Sequence, residues 1–341
     1  MNSPSALHVF DQSRRRRSFS ASVLELDAAT ETDRIAQAIR NQIREMLRRR
    51  GAVVGLSGGI DSSVVAALCV QALGRERVFG LMMPERDSSG ESLQLAQELA
   101  ARLGIDFTVE DIAPALHTAG CYRRQEEAIR TVLPEYSAGW KCKLVLPSLL
   151  AGERLNVMRL AVEDPAGSAR TVRLTADAYL QIVAATNFKQ RIRKMIEYYH
   201  ADRLHYAVAG TPNRLEYDQG FFVKQGDGIA DLKPIAHLYK SQVYQLAAFL
   251  GVPETIRTRP STTDTYSLKQ TQEEFYFALP YREMDLCLYA YNHQLPAQEV
   301  APVVGLAADQ VERVYRDIGA KRRATRYLHA PALLVEQIDE I

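Results

Sequence analysis

The segment after the first apolar run of the chain is rich in residues that could do chemistry. Residues 55 to 63 read GLSGGIDSS, between the apolar runs 52–54 and 64–68. Glycines permit close backbone approach and positive φ angles, and the first turn of a helix leaves backbone N–H groups unpaired. The segment therefore predicts a strand–turn–helix unit that holds phosphate groups, with the hydroxyls of Ser57, Ser62 and Ser63 as additional donors.

Two other interpretations of this turn remain open. Residues 55 to 59 also fit G-x-S-x-G, in which Ser57 would be a nucleophile, although neither His293 nor His329 lies in a recognisable triad context. The glycines could also serve only to pack a strand against a helix. Asp61 favours the phosphate site, because a carboxylate beside a triphosphate is repelled unless Mg²⁺ lies between them.

Residues 210 to 240 hold a second group of reactive residue types. This stretch reads GTPNRLEYDQGFFVKQGDGIADLKPIAHLYK. It follows a predicted strand, at the end of the sheet where α/β proteins bind ligands. Glu216, Lys224, Asp231 and Lys240 alternate here with aromatic residues, a pattern that a generic loop does not need. The stretch therefore predicts a second wall of the same site.

These motifs together resemble a known family. The first segment resembles the S-G-G-x-D-S signature of the PP-loop ATP pyrophosphatases, which split ATP into AMP and pyrophosphate. The second is similar to the G-T-x-N-x-x-E…G-[FY]-[FVT]-x-K-x-G-D-x-x-x-D-x-x-P-[IL]-x-x-L-x-K pattern of NAD synthetases. Residues 187–191 (NFKQR) look like that family's N-x-x-x-R, and residues 260–262 (PST) resemble its P-[ST]-A loop. The matches run in family order from about residue 30 to 265.

The resemblance implies an ammonia-dependent NAD synthetase. Such an enzyme uses ATP to adenylate the nicotinate carboxylate of deamido-NAD, and ammonia then displaces AMP. A carboxylate is a poor electrophile, so adenylation supplies the leaving group. The cofactors implied are ATP, as co-substrate, and Mg²⁺. Glutamine-dependent members carry an additional nitrilase-like domain, for which the 30 residues before the first predicted helix are too few. We therefore expect ammonia to come from solution or from a separate protein.

Carried over position by position, the resemblance assigns a role to each matching residue. The expected catalytic residues are Asp61 and Lys240, and the expected metal ligands are Asp61 and Glu216. ATP is expected at Ser57, Gly58, Gly59, Ile60, Asp61, Ser62, Ser63, Thr211, Lys240, Ser261 and Thr262. Deamido-NAD is expected at Arg191, Lys224, Asp231 and Lys321.

The chain also departs from the family pattern. Many members carry a His-Lys pair near the C-terminus, whereas residues 320–323 here read AKRR, so that Lys321 is kept and the His is not. Residues 113–175 are longer than in compact members. An alternative is therefore a PP-loop ligase or amidotransferase-like enzyme that adenylates another carboxylate or a carbonyl. A third hypothesis is a nucleotide-binding module without catalysis. The two predicted metal ligands, Asp61 and Glu216, argue against it, because binding alone needs fewer metal ligands.

Alternating apolar patterns predict the elements that position these residues. Helices are predicted over 31–50, 61–73, 91–104, 176–199, 238–253, 281–292 and 307–318, and strands over 52–56, 77–83, 105–112 and 205–211. Strands that alternate with helices predict an α/β fold, a doubly wound parallel sheet flanked by helices. The resemblance narrows this to the adenine nucleotide alpha-hydrolase-like, Rossmann-like fold with helical C-terminal additions.

The expected organisation is one catalytic domain with a tail. Residues 1–28, which contain RRRR at 14–17, are expected to form a disordered basic tail, and residues 29–341 a single NAD synthetase-like domain. Within it, 113–175 is predicted to be an insertion, 254–274 a loop or lid, and 281–341 a helical C-terminal part.

Bulk composition restricts the partners. The chain has 341 residues, of which 47% are hydrophobic and 24% charged, and a net charge of +1. This charge favours neither nucleic acid nor a membrane surface, and no apolar run is long enough to span a bilayer. The spacing of the four cysteines matches neither a zinc site nor a disulfide framework, which predicts a cytoplasmic protein. The resemblance further implies a homodimer.

Overall fold

The central element of the fold is a four-stranded parallel sheet. The computed structural model describes residues 18–145, 158–262, 265–277 and 279–338. The sheet has the strand order β3-β2-β1-β7, and β1 pairs in parallel with both β2 and β7. Its strands are β1 (Ala52–Gly55), β2 (Val78–Met82), β3 (Asp106–Val109) and β7 (Ala207–Ala209).

A second, smaller sheet is antiparallel. It has the order β4-β5-β6 and consists of β4 (Lys141–Val145), β5 (Arg159–Glu163) and β6 (Ala169–Arg173). These strands lie within the insertion predicted at 113–175, for which no strand was predicted from the sequence. In β4, alternate residues Cys142 and Leu144 are buried, so the period of two that marks a strand is present but short.

Helices cover both faces of the parallel sheet, which confirms the predicted fold class. The helices are α1 (Ala28–Asn41), α2 (Ile60–Leu73), α3 (Gly90–Leu103), α4 (Ala113–Thr118), α5 (Cys121–Arg130), α6 (Ala176–Leu204), α7 (Arg214–Gln219), α8 (Lys240–Phe249), α9 (Glu254–Thr258), α10 (Tyr281–Asn292), α11 (Ala297–Val304) and α12 (Ala308–His329).

The two faces are set by alternation along the strands. In β1, Ala52 and Val54 pack in the core formed with α1, α2, α3 and α8, whereas Val53 packs in the core formed with α4, α5 and α6. A strand of a parallel sheet that is buried on both faces needs apolar residues at every position, which is why residues 52–54 of β1 read as a continuous apolar run. A third core joins α10, α11 and α12 in the helical C-terminal part.

Several predicted boundaries were wrong. The first helix ends as an α-helix at Asn41 and continues as one π-helical turn, Gln42–Met46, while the long helix that begins at Ala176 runs on to Leu204. Residues 254–274 are not only a loop, because they include α9 and a β-bridge between Thr262 and Thr271. The sequence analysis missed α11, whose Pro302 reads as a helix breaker.

The tail predicted at 1–28 is ordered in its second part. Residues 18–28 include the short 3₁₀-helix Ala21–Leu24, in which Leu24 is buried. The side-chain amide of Gln245 donates to the carbonyl oxygen of Leu24 at 2.9 Å and accepts from the backbone N–H of Leu26 at 2.9 Å. The expectation of disorder is therefore wrong for 18–28, and residues 1–17, with the four arginines, lie outside the described part of the chain.

The strand order creates a switch point beside β1. The chain goes from β1 to β2 on one side and returns to β7 on the other, so the loops after β1 and β7 diverge at the carboxyl ends of adjacent strands. Ligands bind α/β sheets in such a crevice. The glycine turn follows β1, and residues 210–213 follow β7, so both predicted site segments open into this crevice.

Candidate functional site

The glycine turn has a backbone that other residues could not adopt. Gly58 has a φ of +75°, and a Cβ atom there would lie 2.2 Å from the carbonyl oxygen of Ser92. Gly59 immediately precedes α2 and offers no side chain to cap its first N–H groups. These N–H groups, together with the partial positive charge of the helix start, form a site for an anion.

The three serines of the turn do different things. The hydroxyls of Ser62 and Ser63 donate to the carbonyl oxygen of Gly59 at 3.0 and 2.8 Å, and both residues are buried. These two hydrogen bonds stabilise the conformation of the turn. The Oγ atom of Ser57 accepts from the N–H of Gly59 at 3.3 Å, lies 3.2 Å from the Oγ of Ser62, and faces a large cavity.

The geometry argues against a nucleophilic Ser57. A nucleophile of this type needs a His within hydrogen-bond reach. Among the described residues, the hydrogen-bond neighbours of its hydroxyl are Gly59 and Ser62. His293 instead stacks on Tyr289, and His329 packs edge-on against Tyr217.

The carboxylates of Asp61 and Glu216 come together from opposite sides of the crevice. Asp61 lies in the first turn of α2, and Glu216 lies in the first turn of α7. Asn213 joins them: its Oδ1 accepts from the N–H of Glu216 at 3.2 Å, and its Nδ2 donates to Oδ1 of Asp61 at 3.1 Å. Burial and the nearby charge of Asp61 raise the pKa of Glu216 to about 8.

Asn213 is the N of the family motif G-T-x-N-x-x-E, for which the sequence predicted no role. Its position in the sequence is the signal that could have indicated this role. It precedes a helix and lies three residues before Glu216, which is the capping-box spacing. Both side chains of the box are used, since Oε2 of Glu216 accepts from the N–H of Asn213 at 3.1 Å.

Lys240 is the first residue of α8 and is completely buried. Its ammonium group donates to Oδ2 of Asp61 and lies 5.2 Å from the centre of the Tyr281 ring. Burial alone would lower the pKa of Lys240, but Asp61, Tyr281 and Glu216 reverse the direction and raise it. Lys240 is therefore a fixed positive charge paired with Asp61, which lines the cavity described next.

The cavity beside these groups has a volume of about 1250 Å³. Volumes of about 300–1,000 Å³ are usual for small-molecule sites, so this one has room for more than one ligand. It gathers most of the residues that the sequence predicted for ATP and the metal, together with Lys321 from α12. The predicted residues that line it are Ser57, Gly58, Gly59, Ile60, Asp61, Thr211, Glu216, Ser261, Thr262 and Lys321.

Lys321 reaches the cavity from the C-terminal part. Its ammonium group lies 2.8 Å from a carboxylate oxygen of Asp317 and donates to the carbonyl oxygen of Tyr276 at 2.7 Å. Burial lowers the pKa of Lys321. Ala320, at the position where many family members have a His, lines the same cavity.

Three residues predicted for deamido-NAD are not among those that line the cavity. Arg191 is exposed, and its Nε donates to the carbonyl oxygen of Lys224 at 3.3 Å. Lys224 donates to the carbonyl oxygens of Tyr327 and Ala330 at the end of α12, at 2.7 and 3.1 Å. Asp231 accepts from the N–H of Val208 at 2.7 Å. Their predicted contact with the dinucleotide stays a prediction.

Two further features adjoin the site. A smaller cavity of about 170 Å³ lies on the other side of the glycine turn, where residues 81–84 at the end of β2 face Gln190 and Glu197 of α6. The sequence analysis missed it, although the ends of parallel strands are where such cavities form.

The second feature is a buried ion cluster around Lys189. Its ammonium group donates to Glu85 at 2.9 Å, to Asp87 at 2.7 Å and to the carbonyl oxygen of Thr265 at 2.8 Å. All three donors of the ammonium group are thereby used. Thr265 lines the large cavity, so the cluster ties α6 and the loop after β2 to the cavity wall.

Comparisons with known proteins agree with this geometry. A family model described as NAD synthase matches residues 31–133 and 154–325. The NH(3)-dependent NAD(+) synthetase of Mesorhizobium japonicum is 65% identical over 318 residues, which cover 93% of this chain and 100% of the relative. The enzyme of the same name from Thermotoga maritima is 40% identical over 252 residues, 73% of this chain and 83% of the relative.

Solved structures share the fold at lower identity. The NMN synthetase of Francisella tularensis covers 91% of this chain and 99% of its own with a TM-score of 0.61 at 23% identity. The NH3-dependent NAD synthetase of Campylobacter jejuni covers 91% and 100% with a TM-score of 0.59 at 22% identity.

The family model matches most of the chain, and relatives well above 30% identity align along most of its length. The chain therefore belongs to the NAD synthase family.

Proposed function

We propose that this protein is an ammonia-dependent NAD synthetase, a ligase that converts deamido-NAD to NAD at the expense of ATP. The observation that carries the proposal is the group formed by Asp61, Lys240 and Glu216 beside the uncapped start of α2, in which Asp61 and Glu216 line a cavity large enough for two ligands and Lys240 is paired with Asp61. Family membership supports it, since the relatives named above are NH(3)-dependent NAD(+) synthetases.

The reaction proceeds in two steps. A carboxylate oxygen of the nicotinate group attacks the α-phosphorus of ATP, and the bond from that phosphorus to the bridging oxygen breaks to release pyrophosphate. The lone pair of ammonia then attacks the carbonyl carbon of the acyl-adenylate. The bond to the adenylate oxygen breaks, AMP leaves, and the amide nitrogen loses a proton. Charge builds up on phosphate oxygens in the first step, so preorganised donors and cations are what the site must supply.

The chain provides these groups in the crevice. The N–H groups at the start of α2 and the hydroxyl of Ser57 face the cavity, and we assign them to the triphosphate, together with Thr211, Ser261 and Thr262. Lys240 supplies a positive charge in a fixed position, because its side chain is buried and paired with Asp61. We assign Ser62 and Ser63 to the same site, where they hold the turn in shape. We assign the adenine base of the same nucleotide to the smaller cavity beside Ser57.

Asp61 and Glu216 fit a magnesium ion. Both are hard oxygen ligands, and the raised pKa of Glu216 reflects a buried carboxylate that a divalent cation would stabilise in its charged form. Within the described ranges no cluster of three or more His, Cys, Asp or Glu residues could hold a metal, so phosphate oxygens and water would complete the ion's coordination. When bound, Mg²⁺ would neutralise charge on the phosphates as pyrophosphate leaves.

Deamido-NAD would place its nicotinate end in the cavity near Lys321 and extend outwards. Arg191 and Lys224 lie next to each other outside the cavity, where they could contact a phosphate or ribose of the extended dinucleotide. We assign Asp231 to the same part of the proposed dinucleotide site. This arrangement supports a binding site that begins inside the chain and ends at its surface.

We further propose a homodimer. Long α6 carries the exposed apolar residues Met195 and Tyr199, both 62% exposed, and the edge strand β3 carries exposed Phe107 and Val109. Exposed large apolar side chains on neighbouring elements are typical of an interface between copies. A cytoplasmic location agrees with the four free, buried cysteines. None of the described helices is long and apolar enough to cross a membrane.

A turnover assay tests the proposal. The purified protein is incubated with ATP, Mg²⁺, deamido-NAD and ammonium, and NAD, AMP and pyrophosphate are quantified. We expect the three products in equal amounts and none of them without deamido-NAD. Pyrophosphate release with another acid, such as nicotinic acid mononucleotide, and none with deamido-NAD would favour the alternative ligase. ATP binding without pyrophosphate release under every condition would favour a binding module.

The nitrogen source is tested in the same assay. Glutamine is substituted for ammonium at equal concentration, and we expect NAD formation to fall to background. Addition of a separate glutaminase should then restore it, because the enzyme uses free ammonia. NAD formation from glutamine alone would contradict the proposal of ammonia dependence.

A further inference from the structure

One face of α10 packs against the start of α8, where Lys240 lies. Tyr281 and Asp285 are four residues apart on α10, so their side chains project from the same face, one turn apart. We propose that Tyr281 and Asp285 are positioning residues that hold the Lys240 ammonium group in place for ATP. This inference rests on the role proposed above for Lys240.

Asp285 fixes the backbone of Lys240. Its Oδ1 accepts from the N–H of Lys240 at 3.2 Å, and its Oδ2 accepts from the N–H and the hydroxyl of Ser241 at 2.7 and 2.6 Å. The two N–H groups are among those that a helix start leaves without an intrahelical partner. Asp285 is fully buried, so its carboxylate caps α8 from a different helix.

The same carboxylate makes a lysine acceptable at this position. A positive side chain at a helix N-terminus faces the positive end of the helix dipole, which is unfavourable. Asp285 places a negative charge at that end, and Asp61 binds the ammonium group. Lys240 can therefore begin α8 with its charge directed at Asp61, which lines the large cavity.

Tyr281 restrains the ammonium group. The centre of its ring lies 5.2 Å from Nζ of Lys240, within the range of a cation–π interaction. Its hydroxyl donates to Oε1 of Gln272 at 2.7 Å and is hydrogen-bonded by the side chain of Ser261. Ser261 and Gln272 both line the large cavity. Tyr281 thus connects the buried ammonium group of Lys240 to Ser261 and Gln272 in the wall of the large cavity.

These contacts have the features of preorganisation. A lysine side chain is flexible, and a site that must place its charge before ATP arrives has to remove that freedom in advance. The polar atoms of Tyr281 and Asp285 are directed at Lys240, at its neighbour Ser241 and at two cavity residues. Packing alone would need only the ring and the methylene groups.

The test compares steady-state kinetics of full-length variants. We expect Tyr281→Leu and Asp285→Asn to raise the KM for ATP at least about tenfold and to leave the KM for deamido-NAD within about twofold. Tyr281→Phe keeps the ring near Lys240 but loses the hydroxyl bonds to Gln272 and Ser261, so we expect a smaller rise in the KM for ATP, of about threefold. Leu288→Ala, on the same helix but in the apolar core, serves as the control and should lower the Tm without changing the KM for ATP.

A double-mutant cycle distinguishes positioning from an independent effect. Affinity for a non-hydrolysable ATP analogue is measured by calorimetry for Tyr281→Leu, Lys240→Met and the double variant. If Tyr281 acts through Lys240, its effect should disappear when Lys240 is already methionine.

Two results would overturn the inference: an unchanged KM for ATP in folded Tyr281→Leu and Asp285→Asn, or a full effect of Tyr281→Leu in the Lys240→Met background. If Tyr281→Leu does not fold, the near-isosteric Asp285→Asn carries the test. Unchanged turnover and ATP affinity in Lys240→Met would refute the role of Lys240 itself, which is a distinguishable outcome.

Discussion

At the scale of single residues, Asp61 joins three segments of the site. Its two oxygens accept from Asn213 and Lys240, which come from segments about 150 and 180 residues further along the chain. A carboxylate held by two donors has a defined orientation before any ligand binds. The carboxylate of the neighbouring Glu216 accepts from the backbone N–H of Asn213, and burial raises its pKa. The two carboxylates therefore differ in their partners, and a bound metal ion would stabilise the charged form of Glu216 more than that of Asp61.

This asymmetry predicts the effect of Glu216→Gln. The amide keeps the volume but removes a charged metal ligand, so we expect the Mg²⁺ concentration for half-maximal NAD formation to rise at least about tenfold, equivalent to about 1.4 kcal/mol of binding energy. The Mg²⁺-dependent increase in Tm with a non-hydrolysable ATP analogue should shrink in parallel.

The matched control is Glu312→Gln on the exposed side of α12. It makes the same chemical change far from the crevice and should leave both the Mg²⁺ dependence and the Tm shift as in the wild type. A Glu216→Gln variant with unaltered Mg²⁺ dependence would mean that Glu216 is not a ligand.

At the scale of elements, the unit formed by β1, the glycine turn and α2 works through its backbone. The turn passes so close to the start of α3 that a Cβ atom on Gly58 would meet the carbonyl oxygen of Ser92. The hydroxyls of Ser62 and Ser63 tie α2 back onto Gly59. The anion site is therefore a property of the turn's shape more than of any one side chain.

Gly58→Ala tests this shape. The positive φ alone should cost about 1–3 kcal/mol of stability, and relief of the clash with Ser92 should displace the turn. We expect a lower unfolding midpoint in urea and a loss of ATP-dependent turnover larger than the stability change explains.

Gly90→Ala provides the comparison. Gly90 begins α3, and a Cβ atom there would meet nothing within 4 Å. This substitution should leave turnover unchanged and alter stability by less than about 1 kcal/mol, with stabilisation as the expected sign. Equal effects of the two substitutions would show that the turn has no special geometry.

At the scale of the whole molecule, the site is assembled by topology. The site brings together segments that are distant in sequence: 57–61, 211–216, 240, 261–262 and 321. They meet because β1 and β7 are neighbours at the switch point. The C-terminal helices close the crevice from the outside, with Lys321 on α12 and Tyr281 on α10.

The proposed dimer is also a property of the whole molecule. Tyr199→Asp places a charge on the exposed apolar face of α6, and we expect it to shift the molar mass in multi-angle light scattering from twice 38.2 kDa towards the single-chain value. The control is Phe249→Asp, since Phe249 is 54% exposed at the end of α8, on the opposite face of the parallel sheet.

The outcome is read from the two variants together. Dissociation by Tyr199→Asp and an intact dimer with Phe249→Asp would support the interface on α6. A wild-type protein that is a monomer at micromolar concentration would contradict the proposal.

The sequence by itself determined the parts of this protein that depend on local pattern. Short apolar runs predicted the four parallel strands, and helical periodicity predicted seven of the described helices. The glycine turn could be recognised because its function needs a particular backbone at consecutive positions, 55 to 63. Glu216 and Lys240 were predicted from the second motif, and each stands at a helix start, where its charge is either favoured or requires a partner. The three strands of the small sheet were missed because each is only five residues long and carries exposed, charged side chains.

The tertiary structure alone decided what each side chain faces. Residues of one motif separate in space: Ser57 faces the cavity while Ser62 and Ser63 turn back onto the helix start, and Lys224 reaches the end of α12. Residues without a motif become important, as Asp285 does by capping α8 from 45 positions away. The physical reason is that burial, ion pairing and hydrogen bonding depend on distances between segments, and those distances are set by the order of strands and the packing of helices.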